Sequence, residues 1–305
     1  MMSKIGTLIV IVGPTASGKT SVAIEIAKKY NTEIISADSR QFYNEIPIGT
    51  AAPQNEEMQG IKHHFIGNLT VNDYYNVSKF EQDVMELLKK KFQKNKIMLM
   101  VGGSGLYIDA VCNGIDDLPD ADEELRAKLN KLFDEEGFSA IQQKLKQLDP
   151  KYYEKVDLNN PKRILRALEV SIQTDKPYSS HRKGNSAERP FNIIKIGLEI
   201  PREQLIERID RRLDSMIKEG WIEEATSVLP YKDNNALNTV GYKELFKYLE
   251  NEWSLDLAIE KIKVNTRRYA KRQMTWFKRD KETTWFSPDD SEKIIEFIDS
   301  RTTNT

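Results

Sequence analysis

The sequence predicts an α/β fold, a parallel sheet flanked by helices and interrupted by an all-helical insertion, and three observations carry that prediction. Residues 13–20 read GPTASGKT directly behind the apolar run 8–12 and ahead of a helical pattern. That is the strand, loop and helix context of a P-loop, the phosphate cradle of nucleoside-triphosphate-hydrolase-like sheets. Short β-rich runs occur at 7–12, 33–37, 97–101 and 193–199, and the first three lead into longer helical patterns, as parallel strands joined by crossovers require. After Leu106 the texture changes: 116–124 reads DDLPDADEE, and only helical patterns follow to about residue 174. The expected organisation is a core domain of 1–118 with 190–305, and a helical insertion of 119–189.

Each element has its own signal. The helix at 18–30 spaces Val22, Ile26, Ala27 and Tyr30 three to four apart, and 76–94 does the same with Phe80, Val84, Leu87 and Leu88, so both should pack on the sheet. The insertion should hold helices at 121–135, 137–147 and 159–174, the last opened by Asn160 as cap and Pro161 in the first turn. Residues 176–190, polar with two prolines and a glycine, read as a linker or mobile loop. The strand at 193–199 returns the chain to the sheet, and helices follow at 201–219, 220–229, 241–250 and 254–279.

Composition narrows the function classes. The lone cysteine, Cys112, excludes a disulfide framework and points to a reducing compartment, so the cytoplasm is the expected location. The apolar run behind Met1–Gly6 is too short for a signal peptide or a membrane span, and no membrane partner is expected. Net charge is −1 with 30% charged residues, so a polyanion partner must be held by segregated charge. No segment reads as an oligomerisation surface, and a monomer is expected.

Gly13, Pro14, Thr15, Ala16, Ser17, Gly18, Lys19 and Thr20 form the expected diphosphate cradle, in which main-chain N–H groups converge on phosphate oxygens, Lys19 supplies a cation and Thr20 offers a hydroxyl to Mg²⁺. An ATP-hydrolysing relative of this loop usually ends a second strand in an acid. Here the strand at 97–101 ends in GGSGLY, a corner suited to close approach of a substrate or simply a tight turn. The acid appears instead at Asp38, behind the strand at 33–37. A lone Asp there is ordinarily a cap or turn residue, but beside a phosphate loop it can share Mg²⁺ with Thr20 or accept a proton from a nucleophile.

Basic residues concentrate in KRILR at 162–166 and on the last long helix, where Lys261, Lys263, Arg267, Arg268, Lys271, Arg272, Lys278 and Arg279 interleave with Tyr269, Trp276 and Phe277. That density suits a phosphate-backbone track, against the plainer reading of a solvated amphipathic helix. Arg208, Arg211 and Arg212 lie among Glu207, Asp210 and Asp214, where pairing within the helix competes with ligand binding. His63, His64 and His181 fall at no zinc-ligand spacing, and no nucleophile elbow or Cys/His pair is present.

Taken in order, GPTASGKT at 13, ISADSRQFY at 35, IGTAAP at 48, HHFIG at 63, GGSGLY at 102, NNPKRILRALEV at 159, MIKEGW at 216, VGYKEL at 240 and TRRYAKRQMTWFKR at 266 resemble the tRNA dimethylallyltransferases of bacterial type, also called tRNA isopentenyltransferases. The resemblance implies transfer of a dimethylallyl group from dimethylallyl diphosphate to N6 of adenosine 37, next to the anticodon in the tRNA anticodon stem-loop. The cradle would then hold a leaving group. Lys19, Thr15, Thr20 with Mg²⁺ and an arginine would stabilise the departing diphosphate, Asp38 would take the amine proton, and Arg212, with Arg208 as the second choice, would clamp the diphosphate. Ser36, Gln41 and Ser104 match positions near the flipped base, and Ser39 and Arg40 beside them are expected to bind tRNA. Arg126, Lys162, Arg163 and Arg166, with Arg267, Arg268, Lys271 and Arg272, match the RNA-binding set.

Lys162 stands where the family commonly has glutamine, and Ser104 where it often has threonine. The zinc finger that nucleus-encoded members often add is not found before Thr305, which favours the bacterial type. Three alternatives share parts of the pattern. An enzyme prenylating free adenylate would keep the loop and Asp38 without needing a basic helical tail. A small-metabolite kinase would consume ATP, and a non-catalytic RNA-binding protein would not need Lys19, Thr20 and Asp38 together.

Overall fold

The computed structural model describes residues 4–116, 118–182, 184 and 187–302. In chain order its elements are β1 (Thr7–Val12), α1 (Lys19–Lys29), β2 (Ile34–Ser36), α2 (Pro47–Thr50), α3 (Asn55–Met58), β3 (His63–His64), α4 (Val77–Lys91), β4 (Ile97–Gly102), α5 (Gly105–Asn113), α6 (Glu123–Glu136), α7 (Phe138–Leu148), α8 (Pro150–Tyr153), α9 (Pro161–Thr174), α10 (Tyr178–His181), β5 (Asn192–Leu198), α11 (Arg202–Lys218), α12 (Trp221–Val228), α13 (Tyr242–Leu249), α14 (Leu255–Phe277), β6 (Thr284–Phe286) and α15 (Ser291–Thr302). The described chain divides into two compact units, 4–112 with 188–302, and 113–187.

The first unit is built on a six-stranded sheet in the order β3-β2-β4-β1-β5-β6, and every pairing is parallel. All six residues of β1 are buried, which is why it reads as a continuous apolar run. Alternate residues serve opposite faces. Leu8, Val10 and Val12 join a core with α4, α5 and α11 to α14, whereas Ile9 and Ile11 join Val22, Ile26, Ile294 and Ile298 of α1 and α15. Each such side chain contributes about 1.5–3 kcal/mol on burial.

Register then fixes where ligands can reach. Val12 pairs with Gly102 and Ser36 with Val101, so the phosphate loop, the Asp38 segment and the glycine corner all leave the sheet at one carboxyl edge.

The second unit buries Leu129, Ile141, Leu145, Tyr152, Ile164, Ala167 and Leu168 among α6 to α9. Asn160 caps α9 by accepting from the Arg163 N–H at 3.2 Å, with Pro161 in the first turn.

Four differences from the sequence reading have local causes. β3 and β6 are two and three residues long and carry no periodicity of their own, so pairing with β2 and β5 makes them strands. β2 is shorter than 33–37, because the Ala37 carbonyl accepts from Ser104 N at 3.2 Å in the glycine corner and not from a neighbouring strand. The expected loop at 176–190 contains α10, drawn down where buried Asp149 accepts from Ser179 N at 2.6 Å and from Ser179 Oγ at 2.8 Å; residues 183, 185 and 186 lie outside the described set. α14 ends at Phe277, so Lys278 and Arg279 sit past the helix and not on it.

Candidate active site

The carboxyl edge of the sheet opens into a cleft of about 950 Å³, lined by the phosphate loop from Thr15 to Thr20, by Ser36, Asp38 and Gln41, by Gly102 and Gly103, and by Arg208, Arg212, Tyr269 and Gln273. The loop is already shaped for a ligand. Gly18 precedes α1 at φ 89°, a left-handed conformation that glycine adopts without strain, and Ala16 is held at φ 62°. Lys19 folds back to donate to the carbonyls of Gly13 at 3.0 Å and Pro14 at 2.7 Å. Burial lowers its ammonium to about 8, with the Asp38 charge pulling it up and the Arg212 charge pushing it down. The buried Ser17 Oγ has no hydrogen-bond partner among the described residues, a donor suited to a ligand oxygen.

The opposite wall belongs to α11. Arg208 and Arg212 are one turn apart and both line the cleft, while Asp210 and Asp214 between and beyond them reach Arg267 and, at 2.8 Å, Lys263 of α14. Arg212 makes long hydrogen bonds, both 3.4 Å, to Thr15 Oγ1 and the Ala51 carbonyl. Burial lowers its pKa, and the charges of Asp38, Glu57 and Glu219 oppose that. Lys19 and Arg212 thus both feel the Asp38 carboxylate across the cleft.

Asp38 is held by its own turn, accepting from Arg40 N at 3.0 Å. Ser104 Oγ accepts from Ser39 N at 2.9 Å, and Ser104 N donates to the Ala37 carbonyl at 3.2 Å, which fastens the glycine corner to the Asp38 segment. Ser36 Oγ meets Gln41 Oε1 at 3.1 Å, and Gln41 Nε2 donates to the carbonyls of Thr50 and Ala51 at 3.3 and 3.1 Å. Arg40 points away from these groups and donates to the carbonyls of Asn235, Ala236 and Asn238.

The basic surfaces are more selective than the sequence reading. On α14, Lys263 and Arg267 are tied to α11, and Lys278 beyond the helix pairs with Glu199 at 2.8 Å. Arg268, Lys271 and Arg272 on the helix and Arg279 beyond it are exposed, with Arg272 and Arg279 over the rings of Tyr269 and Trp276. In the helical unit, Arg126 and Arg166 both bind Glu169, which is 2% exposed, at 3.0 and 2.9 Å. Lys162 and Arg163 are exposed on α9.

One cleft residue, Gln273, and one residue that holds part of the cleft lining, Glu224, escaped the sequence reading. Gln273, one turn after Tyr269, accepts from Thr15 N at 2.8 Å and donates to the Gly103 carbonyl at 2.9 Å. Glu224 on α12 accepts from Ile48 N at 2.7 Å, Gly49 N at 2.8 Å and the Tyr242 hydroxyl, anchoring the loop that forms the outer wall. Burial raises the Glu224 pKa, against the lowering effect of those three bonds. Both residues lie inside runs already quoted or just beside them, TRRYAKRQMTWFKR and MIKEGW, yet no local spacing marks a polar side chain whose main-chain partners are more than a hundred positions away.

No helix among the described residues is long and apolar enough to cross a membrane, and no group of three or more His, Cys, Asp or Glu is placed there to hold a metal ion.

Fold and cleft together define a phosphate-loop α/β protein with a carboxylate facing the cradle. The chain belongs to the IPP transferase family, whose model matches residues 41–280. It is 50% identical over 292 residues to a protein named tRNA dimethylallyltransferase 1 from Bacteroides fragilis, covering 96% of this chain and 97% of that one. It is similar to the full-length tRNA isopentenylpyrophosphate transferase of Bacillus halodurans, at TM-score 0.73 and 35% identity over 98% of this chain and 97% of that one. It is also similar to a eukaryotic dimethylallyltransferase captured acting on tRNA, at TM-score 0.75 and 29% identity over 89% of this chain and 69% of that one.

Proposed function

We propose that the protein transfers a dimethylallyl group from dimethylallyl diphosphate to N6 of the adenosine next to the tRNA anticodon, releasing diphosphate. The observation that carries this is one cleft lined by the phosphate loop with Lys19, by Arg212 and by Asp38. The bond that breaks joins the allylic carbon to a diphosphate oxygen, which keeps the electron pair. The bond that forms joins that carbon to N6.

An adenine amine is delocalised into its ring and is a poor nucleophile, so Asp38 accepts its proton as the new bond forms. An allylic carbon tolerates positive charge, so the barrier falls chiefly through stabilisation of the departing diphosphate by Lys19, Arg212, Thr15 and the loop amides. The exposed Thr20 hydroxyl faces the cleft without a surrounding acidic cluster. That donor set fits Mg²⁺, which takes one or two protein ligands and completes its shell from phosphates and water; Thr20 would hold it, and it would add charge stabilisation to the leaving group. Ser36, Gln41 and Ser104 then line the acceptor side. Extruding the base costs about a few kcal/mol, offset by backbone contacts from Arg268, Lys271 and Arg272, and from Lys162 and Arg163 on the helical unit. The reaction calls for a soluble cytoplasmic enzyme, and a single copy supplies every group named.

Incubation with labelled dimethylallyl diphosphate and, in parallel, unmodified tRNA or AMP tests the reading. Label should enter tRNA alone. Label in AMP alone, or turnover of ATP with the prenyl donor untouched, would overturn it.

A further inference from the structure

We propose that Gln273 is a positioning residue for this transfer, a cross-brace that sets the distance between the leaving-group cradle and the proton acceptor. The inference rests on the reading of the cleft given above. One side-chain amide, 5% exposed, is used at both ends: Oε1 accepts from Thr15 N at 2.8 Å, and Nε2 donates to the Gly103 carbonyl at 2.9 Å. Only one orientation of the amide satisfies both partners, since an N–H needs the oxygen and a carbonyl needs the NH₂. The fit is close enough that a Cβ on Gly103 would lie 2.2 Å from Nε2, so the corner must be glycine for the amide to enter.

Thr15 belongs to the cradle. Gly103 is joined to the Asp38 segment through Ser104, whose N–H donates to Ala37 and whose hydroxyl accepts from Ser39. A path of hydrogen bonds therefore runs from the diphosphate loop through Gln273 to the turn that carries Asp38. In a displacement at carbon, the nucleophile must sit opposite the bond to the leaving group, about 3–3.5 Å from the reacting atom, and an error near 1 Å can cost about a hundredfold in rate. Both ends of the Gln273 amide are taken by main-chain groups. It fixes the two loops that supply those groups, and it ties both to the helix whose outer face carries Arg268, Lys271 and Arg272.

The test uses the full chain with Gln273→Met, which keeps the volume and removes both bonds, and Gln273→Glu, which keeps the acceptor for Thr15 but turns a second oxygen toward the Gly103 carbonyl. Single-turnover prenylation at saturating donor and tRNA should slow at least about tenfold in each, while donor KM and tRNA Kd stay within about threefold of wild type. A rate per folded molecule within twofold of wild type overturns the proposal, as does a loss confined to KM. If Gln273→Met does not fold, Gln273→Glu decides by the same criteria. Wild-type protein that fails to prenylate tRNA overturns the functional reading instead, and so the two failures are distinguishable.

Discussion

The cleft and the outward face of α14 are built from the same residue types, yet they use charge in opposite ways. In the cleft, Lys19 and Arg212 are few, desolvated and aimed, so each charge is felt strongly by its neighbours: burial brings Lys19 to about 8, and Asp38 acts on both. On α14, Arg268, Lys271 and Arg272 are exposed to water. Screening there leaves each one weak, and their effect is collective, through release of counterions from a polyanion. The difference teaches that the count of cations along a helix says little until each is assigned to water, to a partner or to the cleft.

Variants can break or sharpen that contrast. The largest effect is expected from Asp38→Ala, which removes the proton acceptor. Prenylation should fall by about 10²–10⁴-fold, while tRNA Kd measured by filter binding stays within about threefold; a loss of binding with the rate intact would place Asp38 on the RNA side. Arg212→Ala should lower the single-turnover rate by about 10²–10³-fold, as removal of a stabilising group at a developing charge does elsewhere. Arg208→Ala should do less, and the reverse ranking would make Arg208 the clamp.

Lys19 supplies a pH signature. Its charged form binds the diphosphate, and with a pKa near 8 that form is lost as pH rises through 8, so kcat/KM for the donor should fall on the alkaline side. Lys19→Arg, charged throughout, should abolish that limb, and a profile unchanged by the substitution would show that the limb belongs to another group.

On the solvent face, Arg268→Gln, Lys271→Gln and Arg272→Gln together should flatten the dependence of tRNA affinity on salt by about 2–3 units of slope, with little change in rate at saturating tRNA. An unchanged slope would reduce these residues to a solvated helix face. The smallest effect belongs to Lys263→Gln. Its partner Asp214 is about half exposed, so urea unfolding should change by less than about 1 kcal/mol.

The sequence reading and the structure part company at identifiable residues. GPTASGKT and Asp38 were legible because the chemistry is contiguous: strand, loop and helix follow one another, and the acid ends the next strand. The runs of β1 and β4 were legible because burial on both faces leaves no polar position to confuse the pattern, and β5 because its isoleucines and Leu198 outweigh Asn192 and Lys195. β3 and β6 were not, since two or three residues carry no period. α15 has Ile294 and Ile298 four apart, but one such pair is too little to mark a helix.

Arg267 reads as one more cation on a basic helix until Asp210, 57 positions earlier, is seen beside it. Arg126 and Arg166 read as RNA ligands, and the sequence does not show that both also bind Glu169.

By itself, then, the sequence determined the parallel-sheet class, the phosphate cradle and the acid that faces it, because each depends on neighbours within a few turns of chain. Only the tertiary structure decided which arginines are free, that Glu224 anchors the outer wall, and that Gln273 joins Thr15 to Gly103. Those contacts link positions up to 258 residues apart. A polar side chain with such partners leaves no periodic trace, and only the packing of the sheet edge against α14 brings them within hydrogen-bond reach.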